Sequence, residues 1–298
     1  MTTNKGVELT IDSRNIDTKD FSWSTTFTVS HNRQMVEDIG HENHVAALES
    51  WGNSKYMMYG YKKEYPLNSL WGFEYAGPWQ NKEQLKQYYI ESDTYVSSTI
   101  AAKTEKDSEM LLGLPKYVDQ DNDGVLSEKD LVYLGNSDPI LHGGLNNVFH
   151  WKNLKFSFYF TYSLGGSIYN YSELFMGGGI ITNQYRYMLD AWHPVRNPDS
   201  WHPRPSKDYN LMPSSRQVHD ASYLRLKTVS VAYTLPFKRS NTFKDMTFTL
   251  TGDNLVLWTK YNGFDPDVST SGESTLRRVD MGAYPKARMV VFGVQLRY

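Results

Sequence analysis

The sequence predicts an all-β fold, an antiparallel transmembrane β-barrel segment of about seven spanning strands with long extracellular loops. Three observations carry that reading. Segments of spanning length alternate apolar and polar side chains, their connections alternate between short and long, and the composition is rich in Tyr and Trp while staying polar on average.

The sharpest strand runs from Leu154 to Leu164. Leu154, Phe156, Phe158, Phe160, Tyr162 and Leu164 fall on one face, and Lys155, Ser157, Tyr159, Thr161 and Ser163 on the other, the period of two that a strand between two unlike media requires. Phe21, Trp23, Thr25, Phe27 and Val29 stand in the same way against Ser22, Ser24, Thr26, Thr28 and Ser30. Val229, Val231, Tyr233 and Leu235 oppose Thr228, Ser230, Ala232 and Thr234, and Met246, Phe248 and Leu250 oppose Thr247, Thr249 and Thr251. At the end, Val290, Phe292, Val294, Leu296 and Tyr298 form an apolar row with Val291, Gly293, Gln295 and Arg297 behind it. A soluble sandwich would carry more Lys and Glu on its outward face. Small hydroxyls opposite large aromatics fit lipid outside and a hydrated lumen inside.

The connections around Asn15 to Asp20, His150 to Asn153 and Pro236 to Asp245 are short, whereas 32–138, 166–220 and 259–285 are long. Spanning strands are expected near 4–14, 20–31, 139–149, 153–165, 221–235, 245–258 and 287–298, with the last one ending on the side of the short turns. Leu70 to Gly77 also reads as a strand, but counting it as spanning would break that parity. It belongs in the extracellular excursion 32–138. Seven strands do not close a transporter barrel, which needs about 22, so the chain is expected to be part of a larger one.

Composition narrows the classes. The 22 Tyr and 8 Trp suit aromatic belts at the two membrane interfaces. A net charge of -2 from 31 basic and 33 acidic residues gives no reason to expect a nucleic-acid partner. Absence of Cys excludes disulfides, thiolate zinc sites and thiol nucleophiles. No stretch reaches the roughly 18 apolar residues of a membrane helix. The first residues have neither a charged region nor an apolar one, so no signal peptide is expected within the chain and the exported protein is expected to begin further upstream.

The acidic run in the excursion carries the best chemical motif. Asp119, Asp121 and Asp123 stand two apart, Gly124 follows, and Val125 and Asp130 occupy the later ligand positions. This is the spacing of an EF-hand-type loop, in which hard oxygens surround Ca2+ and Gly permits the sharp turn. Asp130 replaces the usual Glu, and the helix breaker Pro115 stands where an incoming helix would be. A structural Ca2+ is expected in an outer loop, against the bland reading of a solvated acidic turn. Tyr185, Tyr187, Trp192 and Trp201 could stack on sugar rings in the outer loop, against simple packing within a Pro-rich segment. His41 and His44 lack the spacing of a helical metal pair, His142 to Gly144 lacks a nucleophile elbow, and Gly177 to Gly179 lacks the Lys-Ser/Thr of a phosphate cradle. No acid/base pair emerges, and no enzymatic activity is expected.

Several segments resemble, in order, conserved stations of the SusC/RagA family of TonB-linked outer-membrane transporters. They include Asn4 to Leu9 with Phe21 to Thr25, Pro66 to Phe73, the acidic run Tyr117 to Gly124, Leu134 to Ile140 with Gly143 to Asn147, Ala221 to Lys227, Thr251 to Leu255, Thr259 to Pro266, and Tyr284 to Arg288. The resemblance implies that 1–298 is the C-terminal part of a TonB-dependent receptor barrel, without plug domain, signal peptide or earlier strands. It further implies outer-membrane import of glycan or peptide fragments, a SusD-like lipoprotein partner, and drive from the TonB complex through the missing N-terminal part. The alternative is a secreted, calcium-stabilised β-sandwich that binds carbohydrate.

Overall fold

In a computed structural model the chain is described over residues 1–40, 46–47, 60–81, 89–90, 111–123, 125–179, 182–206, 212–237, 239, 242–268 and 277–298. Seven long strands form one sheet: β1 (Thr2–Asp17), β2 (Phe21–Val36), β3 (Leu141–Trp151), β4 (Leu154–Leu164), β5 (Tyr223–Pro236), β6 (Asp245–Thr259) and β7 (Met289–Arg297). Each pairs antiparallel with its neighbours in chain order, an up-and-down meander in which β1 and β7 are the two edges. No helix among the described residues is long and apolar enough to cross a membrane.

The register lines up the sequence's apolar rows across all seven strands. Ile11 faces Phe27, Phe27 faces Leu145, Leu145 faces Phe160, and Phe160 faces Leu226. Further along, Val231 faces Leu250 and Leu250 faces Phe292. The opposite face is a hydroxyl lattice, with Ser230 and Thr251 at 2.9 Å and Thr234 and Thr247 at 2.9 Å. Among the described residues, Val36 alone of the buried hydrophobics lies in these strands, while Leu250 is 51% and Phe292 66% exposed. A sandwich would cover that face with a second sheet. Here the other sheets are pairs and one triplet built from the outer loops, so the sandwich alternative is set aside.

Asn147 stands in the lipid-facing row, where an unpaired amide would be costly. It is buried, and its Oδ1 accepts from Trp23 Nε1 at 2.8 Å and Thr25 Oγ1 at 2.7 Å. The two glycines before it make room for tyrosines on both faces. A Cβ at Gly143 would lie 2.0 Å from Thr28 O, beside the Tyr162 hydroxyl that donates to that carbonyl at 3.0 Å. One at Gly144 would meet the Tyr159 ring at 2.7 Å.

Strict alternation is interrupted at Asn15, where the β1–β2 register shifts between Arg14 and Ile16, and again in the β5–β6 pair. The β5–β6 register shifts between Leu226 and Thr228, opposite Asn254, which has φ +52°. Lys227 Nζ donates to Asn254 Oδ1 at 3.1 Å across this irregularity. The extra residues reset the phase, so that Leu226 and Val229, three apart, both pair into the apolar row.

The short connections are 18–20, 152–153 and 237–244, all at one end; the long ones at the other end are 37–140, 165–222 and 260–288. Leu70 to Gly77 contributes short strands, Ser69–Gly72 and Tyr75–Pro78, that pair within the outer region and not in the wall. His41 and His44 lie outside the described residues.

A charge on the apolar face and one on the polar face should differ sharply. Leu250→Arg should cost about 2–4 kcal/mol in the full-length protein folded into lipid vesicles, while Thr249→Arg, directed between Ala232 and Gly293, should cost little. Urea titration of barrel folding reads the difference.

Candidate functional site

The buried core of this chain lies in its outer loops. Phe73, Tyr75, Trp79, Tyr117, Leu126 and Met212 belong to one cluster. Leu70, Tyr169, Tyr171 and Val279 form a second, and Ile168, Ala221 and Tyr261 a third. A small sheet of Val218–Asp220, Ser167–Asn170 and Val279–Asp280 ties the second and third long connections together above β4, β5 and β6, and the second cluster adds Leu70 of the first connection to them.

Polar clamps hold the cap together, and the first of them ties it to the wall. Arg225 Nη2 donates to Asp265 Oδ1 at 2.6 Å with both side chains almost fully buried. Tyr261 donates to Asp280 at 2.6 Å, and His219 Nε2 lies 3.0 Å from Glu173 Oε2. Burial and the Asp280 carboxylate push the Tyr261 hydroxyl far above its ordinary range, which keeps it a donor. None of these pairs is apparent in the sequence, since Arg225 and Asp265 stand 40 residues apart. An Arg near the start of an expected strand, and an Asp before Pro266, were the available signals.

The acidic turn is half converged. Asp119, Asp121 and Asp123 each place a carboxylate oxygen within 4.8 Å of the others. Asp119 is buried, while Asp121 and Asp123 are exposed. Asp130 is buried and engaged elsewhere: Oδ1 accepts from Gln120 N at 2.8 Å, and Oδ2 from Ser127 N at 2.7 Å. It caps the single 3-10 turn Glu128–Asp130. Val125 begins the two-residue strand Val125–Leu126, paired in parallel with Tyr89–Ile90. Lys129 Nζ stands 3.5 Å from Asp123 and 3.9 Å from Asp121. Such an exposed pair contributes little. Three hard carboxylate oxygens fit a cation of the Ca2+ type.

The four loop aromatics part company. Tyr185 and Tyr187 stack at 5.4 Å, and Tyr187 stacks on His202 at 4.6 Å. The Arg216 guanidinium lies 5.8 Å from Tyr187 and 5.7 Å from Tyr75. Trp201 is half exposed, edge-on to Tyr75, whose hydroxyl donates to the Trp201 carbonyl at 2.7 Å. Trp192 is only 7% exposed. Its ring fills the space where a Cβ at Gly113 would lie 2.3 Å away, so its faces pack against protein. His142 to Gly144 lie within β3, and Gly177 to Gly179 close the turn after the helix Ser172–Met176.

No family model matches the sequence. TonB-dependent receptor P26 of Formosa agariphila is 30% identical over 99% of this chain, and TonB-dependent receptor P3 of the same organism is 29% identical over 99%. TonB-dependent receptor SusC of Bacteroides thetaiotaomicron is 23% identical over 99%. Along its whole length the chain is similar to TonB-dependent receptors, SusC among them. It spans under a third of their length: 29% of P26, 28% of P3 and 26% of SusC. The RagAB peptide transporter shares its fold, with a TM-score of 0.71 and 23% identity over 99% of this chain and 29% of that one. The same importer in the closed-closed state gives a TM-score of 0.68. TonB-dependent receptors are outer-membrane proteins, and the exposed apolar face of this sheet is its lipid face.

Two predictions follow from the cap. Asp265→Ala leaves Arg225 buried without its carboxylate and should destabilise the cap by about 3–5 kcal/mol, read as faster hydrogen exchange at 259–268 in the full-length receptor. Burial, with Arg216 nearby, holds the His202 imidazole below its usual 6.5. The folded loop therefore takes up a proton less readily than the unfolded one. Its stability is complete above pH 6.5 and falls as the pH drops below that value. Exchange at 185–204, corrected for intrinsic rates, should accelerate on acidification, and His202→Gln should remove that pH dependence.

Proposed function

We propose that this chain is a C-terminal stretch of the barrel wall of an outer-membrane importer that takes up nutrient fragments, glycan or peptide, and that it is not an enzyme. The observation that carries the reading is the unbroken apolar row across seven antiparallel strands, with every long connection at one end. A wall of this kind separates hydrocarbon from a hydrated lumen. Homology to TonB-dependent receptors supports energy coupling through TonB, by way of a plug domain elsewhere in the receptor. Likeness to RagAB and SusC supports a SusD-like surface lipoprotein as the partner that meets the loop cap. Edges β1 and β7 would continue into further strands of the same barrel.

The acidic turn fits a structural Ca2+ held by Asp119, Asp121 and Asp123, with the Val125 carbonyl as a further donor. Asp130, the last position of the motif, would act through the shape of the turn, because both its oxygens already accept backbone amides. The ion would offset the repulsion of three close carboxylates and fasten the turn to the cap.

Expressed at full length in its own host, the receptor should fractionate with the outer membrane and support energy-dependent uptake of oligosaccharides or oligopeptides. Fractionation with soluble proteins would sink this reading. Adding Ca2+ should slow tryptic cleavage near Lys129, and Asp121→Asn with Asp123→Asn should abolish that protection.

A further inference from the structure

We propose that Arg278, with Arg277 beside it, forms an oxyanion subsite at the lumenal rim of the extracellular mouth, which takes the carboxylate of an acidic nutrient fragment. The proposal rests on the importer reading and names a chemical feature of its substrate. A cavity of about 280 Å3 opens there, lined by Asp138, Asp267, Arg277 and Arg278 together with Ser137 and Val268. Its position follows from Ser163, the last polar-row residue of β4, whose Oγ accepts from Arg278 Nη2 at 2.8 Å.

The lining balances Asp138 and Asp267 against Arg277 and Arg278 in number, but the contacts are unevenly shared. Asp138 Oδ2 accepts from Asn68 Nδ2 at 2.7 Å, and its Oδ1 lies 3.4 Å from Arg277. Asp267 is paired with Lys286. Arg225 takes Asp265, and Asp220 accepts from Ser222. Arg278 is left with neutral acceptors, Ser163 and a weak 3.4 Å contact to the Gly165 carbonyl, and forms no ion pair with any described residue. It is partly buried, and burial pulls its guanidinium below the ordinary value. Asp138, Asp220 and Asp267 act on it from beyond contact distance, so its donors meet only neutral acceptors directly, and a bidentate carboxylate is the ligand whose geometry the fork matches.

The backbone is shaped to hold it there. Arg278 has φ +55°, a conformation that side-chain-bearing residues rarely adopt. Gly166 has φ +80°, and a Cβ there would lie 2.7 Å from Arg278 Nη1. A left-handed arginine over a glycine that leaves it space is the kind of local strain that persists where a side chain must be placed for use.

Carboxylates come to such a rim from peptide C-termini or from uronic acids, and matched probes tell them apart. In the purified full-length receptor, pentaalanine is compared with its C-terminal amide, and triglucuronate with its methyl ester. In at least one pair the acid should bind about tenfold more tightly than the neutral member, and the pair that discriminates identifies the source. Arg278→Gln should erase the preference while leaving the neutral probe's binding unchanged. Arg278→Lys, which keeps the charge but not the fork, should weaken it, and so to a smaller degree should Arg277→Gln. Heat-modifiable gel mobility checks that each variant has folded. Equal binding of acid and neutral members in both pairs, or a preference that survives in Arg278→Gln, overturns the subsite. Energised uptake of the neutral probes reads the importer function separately, so either idea can fail alone.

Discussion

A single sheet must stand between hydrocarbon and water, with every backbone amide and carbonyl satisfied by its neighbours, and the rest of this structure depends on that constraint. It explains why consecutive strands pair with consecutive strands, since no group in lipid can go without a hydrogen bond. It explains the period of two, because each residue meets one solvent only. It also accounts for Asn147, Trp23 and Thr25, polar groups in the lipid-facing row that answer one another instead of facing hydrocarbon.

The same constraint moves the buried core out of the wall. A wall one sheet thick has no interior, so the tightly packed clusters form where three long connections fold over one end. There the residues behave as in a soluble domain. Aromatics interlock, Trp192 is buried, and ion pairs such as Arg225 with Asp265 are withdrawn from water. Those clamps fix the loops relative to the strand ends, and hence the positions of Arg278 and the aromatic stack of Tyr185, Tyr187 and His202.

The wall was legible in the sequence because its signal is local. The expected strand 153–165 was found as Leu154–Leu164, and the parity argument correctly kept Leu70 to Gly77 out of the wall. The register irregularities at Asn15 and at Lys227 with Asn254, which reset the phase of the rows, lay outside the alternating runs read from the sequence. The cap was much less legible. Whether an aromatic in a Pro-rich loop packs or stays open is decided by distant chain, which hides Trp192 and leaves Trp201 half exposed. The acidic motif gave three converging carboxylates but could not show that Asp130 is committed to the Gln120 and Ser127 amides. Arg278 had no sequence signal, because both its left-handed backbone and the lack of an ion pair to any described residue are tertiary facts.

The most direct test of the account is a single-cysteine spin-label scan along β4 in the full-length receptor reconstituted in lipid, made simple by the absence of native Cys from this chain. Labels at Phe156, Phe158 and Phe160 should be relaxed by oxygen from the bilayer, and labels at Ser157, Tyr159 and Thr161 by a water-soluble nickel chelate, in strict alternation. Uniform access of the chelate to all six positions, or access without a period of two, would contradict a lipid-facing wall.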